Sequence, residues 1–219
     1  MNQHRPSQPL RDIPPNQRYV AFVDILGFGS RVLDEFDSVL DVYQDLIDLH
    51  PTQLVRTEGV STRILSDAFV VISEAFEPLV PIIRGLHMIT LSKGYLIRGG
   101  IGFGRHIEAT NDGNYAIVSQ ALVHAVGVEK RIKHPCVAIH ESVPIPPGYL
   151  DPRFTPFDRG VLCFDGISMI CPLSLFWGRS AIEQVLTLKA KYPEHAEKYD
   201  WFLRLCGTMR SGDPLIPKS

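Results

Sequence analysis

Hydrophobic patterning along the chain begins abruptly at residue 18. Residues 1–17 are polar and carry Pro6, Pro9, Pro14 and Pro15, a composition that predicts a flexible tail. Tyr19-Val20-Ala21-Phe22-Val23-Asp24-Ile25 is then a short apolar, β-branched and aromatic run, the pattern of a buried central strand. It ends in Leu26-Gly27-Phe28-Gly29, where glycine permits a tight turn. From Ser30, a residue type suited to an N-cap, Val32, Leu33, Phe36, Val39, Leu40, Tyr43, Leu46 and Ile47 recur at helical spacing. That spacing predicts one amphipathic helix, stopped by Pro51.

Residues 61–65 and 68–73 are β-rich runs parted by the dipeptide Ser66-Asp67, which predicts a hairpin with Asp67 at its tip. Residues 78–93 read as a second helix, with Leu79, Ile82, Ile83, Leu86, Ile89 and Thr90 inward and Gly94 just past its end. Residues 95–103 are again strand-like. The order β-α-β-β-α-β is the split βαβ plan of ferredoxin-like α+β domains. A loop at 110–114, a helix at 120–131 and a strand at 136–140 follow. Residues 144–156 form a proline-rich connection, 161–170 one or two strands, and 180–205 a helical stretch interrupted near Pro193. A single domain over 18–219 is expected, with its core at 18–140 and a C-terminal extension at 141–219.

Composition narrows the function classes. The 219 residues suffice for one domain with a real core. A net charge of -2 gives no electrostatic reason to expect nucleic acid or an acidic membrane as partner. A small anionic ligand stays open, because a bound divalent ion can supply positive charge locally. Cys136, Cys163, Cys171 and Cys206 form no C-x-x-C pair and read as reduced thiols. No run reaches membrane-span length and the N-terminus lacks a signal-peptide core, so a soluble, cytoplasmic protein is expected. His87, His106, His124 and His140 are scattered over different elements, and Trp177 and Trp201 read as core or interface aromatics.

The chemistry sits in two carboxylates. In a βαββαβ sheet the first and third strands are antiparallel neighbours, so the end of one lies beside the start of the other. Asp24 closes the first and Asp67 opens the third. Each alone is equally a turn-former or cap. Together they repel, and both stay ionised readily only around a cation or a cluster of donors. An oxygen-only donor set suits hard ions such as Mg²⁺ or Mn²⁺, and two such ions can bridge a triphosphate and activate an attacking oxygen. The Leu26-Gly27-Phe28-Gly29 turn offers backbone N–H groups to phosphates. Strand alternation puts Phe22 on the face of Asp24, where it can wall a ribose or base or simply fill the core.

Phe22-Val23-Asp24-Ile25-Leu26-Gly27-Phe28 resembles the first metal motif of class III nucleotidyl cyclases. Leu65-Ser66-Asp67 is similar to their Gly-Asp hairpin, with Ser66 in place of Gly. Ile97-Arg98-Gly99-Gly100-Ile101-Gly102-Phe103-Gly104 resembles the Arg-x-Gly-Ile strand that follows. The resemblance covers residues 18–131. It implies that Asp24 and Asp67 carry two Mg²⁺ or Mn²⁺ ions with the Ile25 carbonyl as a further ligand. It also implies that a ribose 3′-hydroxyl attacks with loss of pyrophosphate, and that sites are completed across a homodimer interface.

The departures from that family narrow it. Its transition-state Asn and Arg fall at Val123 and Gly127, its purine-reading Lys at Ser61 and the Asp partner at Ala116. The compact Ala-Leu-x-x-Ala-x-x-x-Glu-Lys helix is more similar to the pyrimidine cyclases of bacterial Pycsar anti-phage systems. That implies UTP, ahead of CTP, as substrate and a separate effector protein that reads the cyclic product. With the usual Arg absent, Arg98 and Arg105 are the first candidates to meet the phosphate charge, ahead of Arg56, Arg63 and Lys130. Arg98 is equally a structural ion-pair residue. A non-catalytic, dimeric nucleotide sensor is the competing reading. A diguanylate cyclase would want a Gly-Gly-Asp/Glu-Glu-Phe hairpin where this chain has Leu65-Ser66-Asp67-Ala68-Phe69, and an RNA-binding module a basic, aromatic third strand where Ala68-Phe69-Val70-Val71-Ile72 is apolar.

Overall fold

The computed structural model describes residues 10–49, 58–111, 114–174, 177–211 and 215. Eight strands form one sheet: β1 (Asn16–Ile25), β2 (Val60–Leu65), β3 (Ala68–Ser73), β4 (Ile97–Asn111), β5 (Asn114–Ser119), β6 (Val137–Ile139), β7 (Val161–Phe164) and β8 (Ile167–Ile170). Among the described residues seven α-helices accompany them: α1 (Phe28–Asp34), α2 (Phe36–Leu49), α3 (Leu79–Ser92), α4 (Gln120–Arg131), α5 (Pro156–Arg159), α6 (Gly178–Lys191) and α7 (Ala196–Ser211). The strand order β2-β3-β1-β4-β6-β8-β7 contains the ferredoxin-like core, extended at the β4 edge. β4 and β6 run parallel; every other pairing is antiparallel.

Alternation divides the sheet into two faces. Ala21, Val23 and Ile25 of β1 point into a core with Val39, Val42 and Leu46 of α2 and Leu79, Ile83 and Leu86 of α3. Val20 points the other way, to Val70, Ile72 and Ala121 of α4, with Phe22 and Ile117 packed against them. α4 lies almost on the backbone of β4. A Cβ at Gly100 would meet the Ala125 carbonyl oxygen at 2.1 Å, and one at Gly102 the Ala121 carbonyl oxygen at 2.2 Å. Only glycine allows that approach. Ser119 caps the helix, its Oγ accepting from the Leu122 N–H. A third cluster joins β7, β8, α6 and α7 to Leu91, Leu96, Val128 and Ala138, with Trp201 at its centre.

The elements depart from expectation in three places. β1 starts at Asn16, because its first residues pair with the far half of β4, so the expected tail boundary at residue 17 falls inside a strand. The single helix expected from Ser30 starts at Phe28 behind a left-handed Gly27 and breaks at Glu35 into α1 and α2. The break turns Leu33, Phe36, Leu40 and Ile47 outward, with Leu33 86% exposed. β4 runs on to Asn111 and turns back through β5, where a loop and no strand was expected. Of the one or two strands expected at 161–170, the chain forms two. Pro51, expected to stop the first helix, and Arg56 lie outside the described residues. Among the described residues no helix is long and apolar enough to cross a membrane.

Candidate functional site

Register delivers the two acidic residues to each other. Asp24 pairs with Ala68 on β3, directly after Asp67, and the Ile25 N–H donates to the Asp67 carbonyl at 2.9 Å. The Ser66-Asp67 turn is a two-residue hairpin loop with Ser66 at φ 54°, a left-handed conformation that Gly would adopt without strain. Both carboxylates are partly buried and within hydrogen-bonding reach of each other. Burial, and then the Asp67 charge, push the Asp24 carboxyl up to about 6, with Arg98 pulling the other way.

Arg98 stands opposite Asp24 on β4. Its Nη2 lies 3.4 Å from Asp24 Oδ2 and forms a shorter ion pair with Glu129 of α4, a residue only 6% exposed. The guanidinium therefore ties a strand-end carboxylate to the overlying helix. Sequence reasoning passed over Glu129. The available signal was its i, i+4, i+8 spacing from Ala121 and Ala125, which puts it on the buried stripe of α4. Tyr43 was also missed as a polar residue. Its hydroxyl is buried without a hydrogen-bond partner, and burial, then the Asp67 charge, raise its pKa.

The other candidates divide. Phe22 is on the Asp24 face, half-buried beside Val20 and Val70. The Ile25 side chain is buried in the core on the opposite face, at the end of the strand. The Leu26 N–H, expected to face phosphate, donates instead to the Leu96 carbonyl at 2.8 Å, so Leu26 is corrected to a sheet contact. Gly27 is exposed with φ 76° and precedes the first turn of α1, whose N–H groups have no partner earlier in the helix. The Phe28 ring is buried against Tyr43, with centroids 5.4 Å apart, so only its backbone can face a ligand. Arg105 is not brought to this cluster. It pairs with Gln17, seven positions from Asp24 along β1, roughly 23 Å at the usual strand rise. Val123 and Gly127 lie on the exposed face of α4.

The donor set fits a hard divalent cation: two carboxylates, the charge of Asp67 raising the proton affinity of Asp24, backbone carbonyls beside them, and an unpaired tyrosine hydroxyl nearby. Among the described residues no group of three or more His, Cys, Asp or Glu could hold a metal. Further ligands would therefore be backbone, water or phosphate oxygens, the usual manner of Mg²⁺.

Fold and site together describe a ferredoxin-like α+β domain with an acidic pair at one end of its central strands. Among solved structures, it is similar to adenylate cyclases from Trypanosoma brucei in their monomeric state, at 14% identity over 63% of this chain and 78% of that one, TM-score 0.49. It is also similar to the catalytic core of a rhodopsin-guanylyl cyclase with converted specificity, at 16% identity over 65% and 82%, TM-score 0.47. The guanylate cyclase domain from Catenaria anguillulae matches at 18% identity over 57% and 79%, TM-score 0.44. Likenesses this distant carry no weight for substrate or activity. No family model matches the chain, and no curated protein is significantly similar to it.

Proposed function

We propose that the chain is a metal-dependent nucleotide cyclase, converting a nucleoside triphosphate to its 3′,5′-cyclic nucleotide and pyrophosphate. The meeting of Asp24 and Asp67 at neighbouring strand ends, beside the exposed Gly27 turn, carries this reading. Two Mg²⁺ or Mn²⁺ ions held there would neutralise the triphosphate and lower the pKa of the attacking hydroxyl. The protein's own part is to fix both carboxylates on paired strands, present the Gly27 turn to the phosphates and offer the Phe22 ring to the sugar. UTP is favoured over CTP by the sequence resemblance, as are a homodimer and a role in anti-phage signalling. Purified protein incubated with Mn²⁺ and each of the four triphosphates should release cyclic UMP. Asp24→Ala should reduce turnover by more than about 10³-fold, since the ion loses half its carboxylate support. Undiminished activity in that variant, or no cyclic product from any triphosphate, would reject the reading. Light scattering should show a dimer; an active monomer would remove that part alone.

One observation favours a non-catalytic nucleotide sensor. Arg98, the guanidinium nearest the carboxylates in the cluster described, is held by Glu129 and Asp24 and is not free to meet phosphate charge. Triphosphate binding without product would select that reading.

A further inference from the structure

Helix α2 packs its buried stripe of Val39, Val42 and Leu46 into the same core as Val23 and Ile25, the residues that flank Asp24. Tyr43, one helical turn beyond Val39, falls at the edge of that stripe and is half-buried. Its ring rests on the Phe28 ring, next to the Gly27 turn, with centroids 5.4 Å apart. The hydroxyl is what the core does not explain: it is buried and has no hydrogen-bond partner, yet the Asp67 charge reaches it. Burial strips a phenol of its water, and here nothing replaces it, so packing alone would be better served by phenylalanine.

The neighbours narrow what that hydroxyl awaits. The Asp67 carbonyl is taken by the Ile25 N–H, and Asp24 shares Arg98 with Glu129. No hydrogen bond joins Tyr43 to either carboxylate. Its partner must therefore arrive with a ligand. Two carboxylates cannot fill the shell of a hard divalent ion, which takes about six oxygens or more and keeps several waters. A water on such an ion spends its lone pair on the metal and presents O–H groups. A neutral phenol oxygen accepts one.

We propose that Tyr43 is a positioning residue of the cation site, its hydroxyl accepting a hydrogen bond from a water on the ion and holding that water beside Asp67. The inference rests on the carboxylate pair binding a cation, and it extends that reading from the two strands to helix α2. It also gives the Phe28 ring a purpose beyond packing. Through one aromatic contact, the turn offered to phosphate and the water on the ion are set against each other.

The test is Tyr43→Phe in the full-length protein, read without any nucleotide. Calorimetric titration should show Mn²⁺ binding about tenfold weaker than wild type, the scale for outer partners of metal ligands. The metal-free variant should melt at or above the wild-type temperature, because the substitution removes an unpartnered buried hydroxyl. Equal Mn²⁺ affinity in the two proteins overturns the proposal. So does a metal-free variant that melts below wild type, which is the mark of a hydroxyl already bonded within the fold. Asp24→Ala separates this inference from the reading beneath it. If that variant loses Mn²⁺ while Tyr43→Phe keeps it in full, the inference fails alone; if wild type binds no Mn²⁺, the carboxylate reading falls and takes this one with it. Mg²⁺ titration of wild type carrying ¹³C in its tyrosine rings asks the same question without a substitution. The Tyr43 Cζ resonance should move as the site fills, and one that stays in place while Mg²⁺ binds overturns the proposal.

Discussion

Arg98 divides its charge between two carboxylates that belong to different elements, one on β1 and one on α4. Under the proposed function Glu129 is a positioning residue: it shares the guanidinium with Asp24 and so keeps that carboxylate available to a cation. Without the Glu129 charge, Arg98 would turn wholly to Asp24 and compete with metal. Glu129→Gln is therefore expected to weaken Mn²⁺ binding about tenfold or more, the range for outer partners of metal ligands. Calorimetry on the purified protein measures it, and unchanged affinity would reduce the pair to a structural tie. The Arg98 ambiguity was visible in sequence, because a charge in mid-strand needs a partner. The identity of that partner was not, since Glu129 is distant in the chain and its charge alone suggested a solvated helix face.

Among elements, α4 on β4 is the tightest junction described. Gly102→Ala would force its Cβ into the Ala121 carbonyl, and overpacking against backbone of this kind costs about 1–3 kcal/mol. Chemical denaturation should show that loss, with Glu129 carried away from Arg98 as the helix shifts. α3 carries a separate liability. His87 is 3% exposed, its Nε2 has no partner, and burial pushes its pKa down to about 3. The unfolded chain takes up this proton near pH 6.5 while the folded chain refuses it. Stability should thus be full above that pH and fall by about 1.4 kcal/mol per unit as pH drops toward 3. His87→Leu should flatten that part of the pH profile, and an unaltered slope would assign the acid lability elsewhere. At this scale the strands of the core and α3 were legible, because alternation and flanking Gly and Pro mark them. The α1–α2 break was not: Glu35 leaves the helical conformation in mid-pattern, and the apolar spacing continues past it as if the helix were whole. β5 was obscured because its partner, the outer half of β4, is polar at Arg105, His106 and Glu108.

For the whole molecule, the βαββαβ order in the sequence led directly to the observed β2-β3-β1-β4 arrangement, while the placement of residues 141–219 was not legible. Their strands are short and their proline-rich lead-in has no periodicity. The structure joins β7 and β8 to the same sheet through β6, which lies parallel to β4 and pairs with β8, and α6 and α7 cover Leu91, Leu96, Val128 and Ala138. A chain ended near residue 140 would present β6 as a naked edge and bare that apolar surface, a recipe for aggregation. Expression of such a fragment should give insoluble material, and a soluble, monodisperse product would contradict the shared sheet. Continuity of hydrogen bonding from β2 to β7 thus leaves no place at which to trim the protein. The half that carries the acidic pair and its appendage stand or fall as one object, and an exchange of residues 141–219 with a relative would have to reproduce a strand edge, not merely a linker.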